Sequence, residues 1–171
     1  MNIYEMKEDF IHSWKRKLVE KREPLLILLN ELSKKEASWV DQEARKAHQK
    51  VFSKIDCLEC ANCCKSTPAL LTKKDIKRIA SFIEITPKQF IYKYVIEDIN
   101  GELSFRKVPC VFLQKDNKCS VYEVRPKACR QYPHTDISRF SLNKKLHIHN
   151  LEICPAVSEI LEEVEENLEQ Y

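Results

Sequence analysis

Four of the eight cysteines in this chain lie within eight consecutive residues, Cys57-Leu-Glu-Cys60-Ala-Asn-Cys63-Cys64. Two residues between successive cysteines let a short turn bring two thiolates to one metal, while backbone N–H groups hydrogen-bond to the sulfurs. Inert buried cysteines usually occur singly, so this density indicates ligands. The segment therefore predicts a fold organised around a metal centre.

Cys63 and Cys64 are adjacent, and neighbouring side chains of an extended chain point to opposite sides. Two alternatives stay open for Cys64: it belongs to a second centre with some of the later cysteines, or it is a thiol beside the centre that does not bind, such as a resolving thiol. Eight cysteines divide evenly into two four-ligand sites. The candidate metal ligands are Cys57, Cys60, Cys63, Cys64, Cys110, Cys119, Cys129 and Cys154.

The spacing of the later cysteines bears on which metal is bound. Structural zinc commonly takes two Cys-x2-Cys pairs, and the second pair is missing here. Cys110, Cys119 and Cys129 are separated like ligands gathered from several elements around a larger cluster. Bacterial ferredoxins open with the same three cysteines and add a Cys-Pro, a role that Cys154-Pro155 could fill. We therefore expect an iron-sulfur cluster, preferably 4Fe–4S, with zinc as the alternative.

The composition excludes several classes of function. With Gly101 as the one glycine, the chain cannot form a Walker loop, a dinucleotide fingerprint or a nucleophile elbow, each of which needs more. The 29 basic residues nearly balance 26 acidic ones, so nucleic acid is not an expected partner. The longest apolar run, Leu25 to Leu29, is far shorter than the ~20 residues of a bilayer span, so no membrane is expected.

The first residues, Met1 to Lys17, mix acidic and basic side chains and do not resemble a secretory signal. We therefore expect a cytoplasmic protein. Thiols are kept reduced there, so metal binding is favoured over a disulfide framework.

Residues 1–56 predict two helices, the second beginning at Pro24 and running to Val51, because proline is well tolerated at a first helical position. We expect this helical extension to pack on a cysteine-cluster domain of residues 57–171. Binding of a protein partner through these helices is the alternative.

Thr72-Lys-Lys-Asp75 and Thr86-Pro-Lys-Gln89 are typical starts of helices, since each can form a capping box. The turn signal Asn100-Gly101 is followed by apolar residues from Leu103 to Val108, which indicate a short strand. We expect Val111 to Leu113 to be its partner.

A second hairpin is predicted over Phe140 to Ile148, with its turn at Asn143-Lys144. His147 and His149 would then share one face, where they could add ligands, although exposed strand histidines are the plainer interpretation. A helix should follow from Val157. The predicted fold class is mainly α with one or two short β-hairpins, a metal-centred cysteine-rich domain preceded by a helical hairpin.

The residues around Cys129 are candidates for contact with the cofactor. Thiolates around a cluster leave net negative charge, and a buried negative centre needs compensating donors. Arg125 and Arg130 can supply fixed guanidinium forks, with a solvated surface role as the alternative. Tyr132 and His134 complete the cofactor-binding candidates; His134 could also be a ligand, a proton donor or a plain surface histidine.

These motifs together resemble a known family, the bacterial and archaeal eight-cysteine YkgJ-like (CxxCxxCC) proteins, which are described as zinc- or iron-chelating domains. The resemblance implies a chelating domain with all eight cysteines as ligands. The motifs span residues 57–155: Cys57-x2-Cys60-x2-Cys63-Cys64, Pro109-Cys110-x-Phe-Leu, Cys119-x2-Tyr122-x2-Arg125-Pro126-x2-Cys129-Arg130-x-Tyr-Pro133 and Cys154-Pro155.

A branch of the same family resembles flagellin lysine N-methylase, and members are often labelled iron-sulfur oxidoreductases. Three functions are therefore expected as alternatives: an iron-sulfur protein for electron transfer or redox sensing, a zinc-binding adaptor, and a cluster-dependent enzyme. The radical S-adenosylmethionine triad, Cys-x3-Cys-x2-Cys, is absent from the sequence. No residue is assigned a catalytic role.

Overall fold

The computed structural model describes the backbone of residues 3–168 and the side chains of residues 10–168. Helices dominate this range, which confirms the mainly α class, and two short strands, β1 (Val95–Glu97) and β2 (Leu103–Phe105), pair antiparallel. The helices are α1 (Ile3–Leu32), α2 (Ala37–Phe52), α3 (Cys57–Cys60), α4 (Asn62–Ser66), α5 (Lys73–Phe82), α6 (Pro87–Tyr94), α7 (Lys127–Gln131), α8 (Lys144–Leu151) and α9 (Pro155–Leu168).

The chain divides into two compact units. The first unit combines the residues up to Cys60 with those from Pro133 onward, and the second unit is the stretch Ala61–Tyr132 between them. The predicted domains, residues 1–56 and 57–171, stay a prediction.

The core of the first unit is formed by α1, α2 and α9. In each helix the buried residues recur every three or four positions, which places them on one face. Trp14 in α1 adds a polar link, because its indole N–H donates to Ser158 Oγ at 3.2 Å. Besides Trp14, the buried apolar residues of these helices are Leu18, Leu25, Leu28, Leu29 and Leu32 of α1, Val40, Ala44, Ala47 and Val51 of α2, and Ala156, Val157, Ile160, Leu161 and Val164 of α9.

The prediction that a second helix begins at Pro24 is wrong, because α1 continues through this proline. A proline inside a helix costs about 3 kcal/mol. Leu18 before it and Leu25 after it are both buried in the same core, and each contributes about 2 kcal/mol by its burial. Packing therefore outweighs the local cost, and the two predicted helices separate later, between Leu32 and Ala37.

Capping boxes begin α5 and α6, as predicted. Thr72 Oγ1 accepts the N–H of Asp75 at 3.1 Å, and the Asp75 carboxylate accepts the N–H of Thr72 at 2.9 Å. Thr86 and Gln89 make the same pair of bonds at 3.3 and 2.9 Å. Both helices therefore start where the local sequence specifies.

Aromatic rings form the core of the second unit. Phe90 of α6 is fully buried, and its ring centroid lies 6.2 Å from that of Phe112 and 6.4 Å from that of Phe105. Ile76 and Ile79 of α5 pack in the same cluster. This cluster packs α5 and α6 against the segments that carry Cys110 and Cys119.

The turn at Asn100-Gly101 is confirmed, with Gly101 at φ +79°, a conformation that favours glycine. The predicted pairing of β2 with Val111–Leu113 is wrong: β1 precedes the turn and pairs with β2, whose other edge bridges to Leu70. Since both edges of β2 are taken, Leu113 instead bridges to Cys119.

The predicted second hairpin is also wrong, because residues Phe140–Asn143 form a 3-10 turn that leads directly into α8. The Asp41 carboxylate accepts the backbone N–H groups of Arg139, just before this segment, and of Phe140, at 2.7 and 2.8 Å. In α8, His147 is buried while His149 is exposed, so the two do not share a face. The apolar residues that alternate along this stretch are also compatible with a helix, because the buried positions of α8 are three and four residues apart.

None of the helices in residues 3–168 combines the length and the apolar character that crossing a bilayer requires.

Candidate metal centre

Four cysteines of the second unit lie within electrostatic range of one another. Cys64 lies in α4, and its carbonyl accepts the N–H of Cys110 at 2.8 Å. Cys119 follows on the bridge to Leu113, and Cys129 lies in α7. The charges of Cys64, Cys110 and Cys119 each raise the pKa of Cys129. The structure thus groups four predicted ligands that are spread over 66 sequence positions, from residue 64 to residue 129.

Burial keeps most of these thiols protonated. It is the largest cause that raises the pKa of Cys110 to about 11 and that of Cys129 to about 12, and neighbouring thiols add to both shifts. Burial also raises the pKa of Cys119. A group of buried thiols that repel one another as anions is suited to a cation, which replaces their protons.

Cys64 differs from the other three thiols. A hydrogen bond from the Cys63 thiol lowers the pKa of Cys64 to about 7, against the opposing effect of burial and with help from Lys65. The extended-chain expectation that Cys63 and Cys64 point to opposite sides is wrong, because both lie in α4 and their thiols hydrogen-bond.

Two of the thiols accept backbone N–H groups from the residue two positions later. The N–H of Phe112 lowers the pKa of Cys110, and the N–H of Val121 lowers that of Cys119. Phe112 and Val121 are themselves buried in the aromatic core, which fixes these turns. Such N–H groups stabilise sulfur in its anionic, metal-bound form.

Among the predicted cofactor contacts, Arg125 lies near the thiols and lowers the pKa of Cys119 and Cys129 by its charge. Its guanidinium lies 3.8 Å from the Tyr122 ring centroid and donates to the Tyr122 carbonyl at 2.8 Å. Arg130 is exposed, and its guanidinium donates to the Arg125 carbonyl at 2.6 Å. Arg125 is therefore a fixed positive charge, while Arg130 supports its backbone.

Tyr132 and His134 fall at the boundary of the two units. Tyr132 closes the second unit and is half-buried. His134 belongs to the first unit, where burial lowers its pKa against the attraction of Asp136. His134 also acts on the nearby His147 ring by its charge.

The first unit gathers three further cysteines. Cys57 and Cys60 lie in α3, whose start is fixed by a 2.8 Å bond from the Leu58 N–H to the Asp56 carboxylate. Burial raises the pKa of Cys154 to about 12, and the charges of Cys60 and Cys57 add to this shift. The backbone N–H of Ala156, again two residues after the cysteine, lowers the pKa of Cys154.

Residues 56–155, more than half of the chain, match a known family model. The chain belongs to the CxxCxxCC family. Its description is "Putative zinc- or iron-chelating domain". The residues that the structure groups by electrostatics all lie within this CxxCxxCC domain.

Among curated proteins, the chain is similar to an uncharacterized protein of Methanocaldococcus jannaschii, with 35% identity over 82 residues. The match covers 46% of this chain and 44% of that protein, so the chain spans less than half of its relative's length. No solved structure matches the chain.

The donor set of the CxxCxxCC domain fits zinc or iron, because both metals accept soft thiolates and both benefit from N–H groups directed at sulfur. Within residues 10–168, no three His, Cys, Asp or Glu side chains are arranged as a group that could hold a metal ion. None of the eight cysteines, all inside that range, is in a disulfide. A metal would therefore have to draw reduced neighbouring thiols together.

One sequence signal for the site lies outside the cysteine motifs. Three ligand candidates are followed, two positions later, by a buried apolar residue whose backbone N–H hydrogen-bonds to the cysteine sulfur. These residues are Phe112 after Cys110, Val121 after Cys119 and Ala156 after Cys154. An apolar anchor at this offset directs the backbone N–H toward the thiol. The pattern marks Cys110, Cys119 and Cys154 as thiols that accept a backbone N–H.

Proposed function

We propose that this chain is an iron-sulfur protein with two thiolate centres, one based in each unit. Its role would be electron transfer or redox sensing in the reducing cytoplasm. One centre takes Cys64, Cys110, Cys119 and Cys129. The other takes Cys57, Cys60 and Cys154, all three of which belong to the first unit. The observation that carries the proposal is the electrostatic grouping of the thiols into these two sets.

Iron-sulfur is preferred over zinc because the second-unit ligands come from separate elements, and a pair of knuckles is lacking. The charge of Arg125 and the N–H groups of Phe112 and Val121 would offset the net negative charge of a cluster bound to four thiolates. Tyr132 and Arg130 are proposed as neighbours of this centre, and His134 as a neighbour of the other.

Purification without air, followed by visible absorption and assays for iron, sulfide and zinc, tests the metal. We expect a coloured protein with iron and acid-labile sulfide in similar amounts. A colourless protein that holds zinc in proportion to its thiols would overturn the iron-sulfur proposal and leave a zinc-binding adaptor.

Two serine variants test the division into centres. Cys129→Ser should remove about half of the bound metal, and Cys154→Ser should remove the other half, so each variant is the matched control for the other. Complete loss of metal in either single variant would contradict two independent centres.

An enzymatic role, as in the methylase branch, would require a substrate site. Calorimetry with S-adenosylmethionine tests it, since a protein that only carries clusters should give no heat of binding. A protein partner bound through α1 and α2 also stays a prediction.

A further inference from the structure

Asp75 is a buried carboxylate that makes more contacts than a helix cap needs. Only 1% of its surface is exposed. One oxygen accepts the N–H and the hydroxyl of Thr72, at 2.9 and 2.6 Å, which completes the capping box of α5. The other oxygen accepts the Arg78 guanidinium at 2.5 Å and the backbone N–H of Lys127 at 3.1 Å. The Arg78 contact stays within α5, whereas the Lys127 contact reaches a different helix, α7.

Arg78 extends the same connection. Its guanidinium donates to the Arg125 carbonyl at 2.8 Å and to the Val124 carbonyl at 3.3 Å, while it remains paired with Asp75. Together the two side chains bind three backbone groups between Val124 and Lys127. This segment joins Cys119 to Cys129.

The segment has a physical need for these partners. Lys127 begins α7, whose N-cap residue, Pro126, provides no side-chain hydrogen bond. The first N–H groups of a helix lack partners within the helix. Asp75 supplies the acceptor from α5, and the Cys129 thiol follows less than one turn later.

The second capping box, at the start of α6, is complete without contacts to another helix. Gln89 serves α6 with the same two bonds to Thr86, at 2.9 and 2.8 Å, yet Gln89 is exposed. The N–H and the hydroxyl of Thr86 use both lone pairs of the Gln89 oxygen, which leaves no acceptor for a distant helix. The second oxygen of Asp75, which the capping box does not use, therefore indicates that this buried carboxylate has a second role.

We propose that Asp75 and Arg78 are positioning residues for the metal centre of Cys64, Cys110, Cys119 and Cys129, since they fix residues 124–127 and thereby the separation of its last two ligands. This inference rests on the proposed function. The same contacts hold Arg125, whose charge acts on Cys119 and Cys129.

The test compares release of Co(II) from the full chain, loaded with that metal alone, to an excess of chelator. Tetrahedral thiolate coordination of Co(II) has its own visible spectrum, so ligand geometry is read directly. Asp75→Asn loses the carboxylate, and Arg78→Lys keeps a cation but loses the fork that reaches the two carbonyls. Gln89→Ala, which removes only the side-chain acceptor of the other capping box, is the matched control.

We expect Asp75→Asn and Arg78→Lys to release about half of the Co(II) roughly 10- to 100-fold faster, the effect typical of groups that orient metal ligands. The spectrum of that half should change, while the other half, in the first unit, should behave as in the unaltered protein. Gln89→Ala should leave both halves unchanged.

Release at the unaltered rate in both variants would overturn the inference and leave the two proposed centres intact. Equal acceleration of both halves would also overturn it, because general stability, not ligand position, would be the cause. Failure of the unaltered reduced chain to bind Co(II) through cysteine would overturn the proposed function itself, and the inference with it.

Discussion

Acidification should destabilise the first unit through His147. Its ring is buried and stacks on Phe140 at 3.9 Å between centroids, with Nε2 3.0 Å from the Phe140 carbonyl. Nδ1 is buried without a hydrogen-bond partner. Burial is the main reason that the pKa of His147 falls from 6.5 to about 4, and the charge of His134 lowers it further. A proton on this ring would thus have little solvation and no counter-ion on Nδ1.

The sign follows from the difference between the folded and unfolded states. Above pH 6.5, His147 is neutral in both states and adds no pH dependence. Between pH 6.5 and about 4 the unfolded chain binds the proton more readily, so the free energy of unfolding decreases as pH falls. The loss approaches about 3 kcal/mol near pH 4 and is about 2 kcal/mol at pH 5.

Urea denaturation at pH 7 and pH 5, followed by circular dichroism, measures this loss. His147→Gln removes the titration while it keeps a donor for the Phe140 carbonyl, so this variant should lose about 2 kcal/mol less than the unaltered chain over the same interval. Both chains have the same cysteines, so the contribution of the thiols to the pH dependence of the unfolding free energy cancels in the comparison. His149→Gln, exposed on the same helix, is the control and should follow the unaltered chain. Equal losses in His147→Gln and the unaltered chain would refute the reasoning.

Two further substitutions test the fold. Asp41→Ala removes the acceptor for the N–H groups of Arg139 and Phe140, so urea denaturation should show a loss of about 1–2 kcal/mol; a loss below experimental error would mean that water replaces the cap. Phe90→Ala empties the aromatic core of the second unit and should cost about 3–5 kcal/mol. Phe82→Ala, at a half-exposed ring, should cost clearly less, and similar costs would contradict the assigned core.

The elements that the sequence predicted well are those decided by neighbouring residues. The capping boxes at Thr72 and Thr86 and the turn at Asn100-Gly101 depend on side chains within three positions, so they could be found without knowing the rest of the chain.

The errors share a different physical origin. Pro24 stays inside α1 because leucines on both sides of it enter one core, a contact with α9 that local propensity does not contain. The stretch from Phe140 to Ile148 alternates like a strand, yet Asp41, about a hundred positions earlier, caps it as the start of a helix. In both cases tertiary contacts outweighed a weaker local preference.

The ligand candidates could be chosen from sequence, but their grouping could not, since it depends on which segments meet. Cys64 is adjacent to Cys63 in sequence, yet backbone pairing places it with Cys110. Cys154 interacts with Cys57 and Cys60, almost a hundred positions away. One local feature of the sequence does bear on the site: an apolar residue two positions after a cysteine indicates that its backbone N–H is directed at the thiol.

The electrostatics of the second-unit thiols explain why a cation suits them better than any state of the thiols alone. Burial and mutual repulsion hold Cys110 and Cys129 protonated, with pKa values of about 11 and 12. The N–H of Phe112 and the charge of Arg125 nevertheless favour anionic sulfur at the same place. Neutral thiols gain little from such donors, and uncompensated thiolates would repel one another. A metal removes the protons and the repulsion together, so the donors then stabilise every sulfur that it binds.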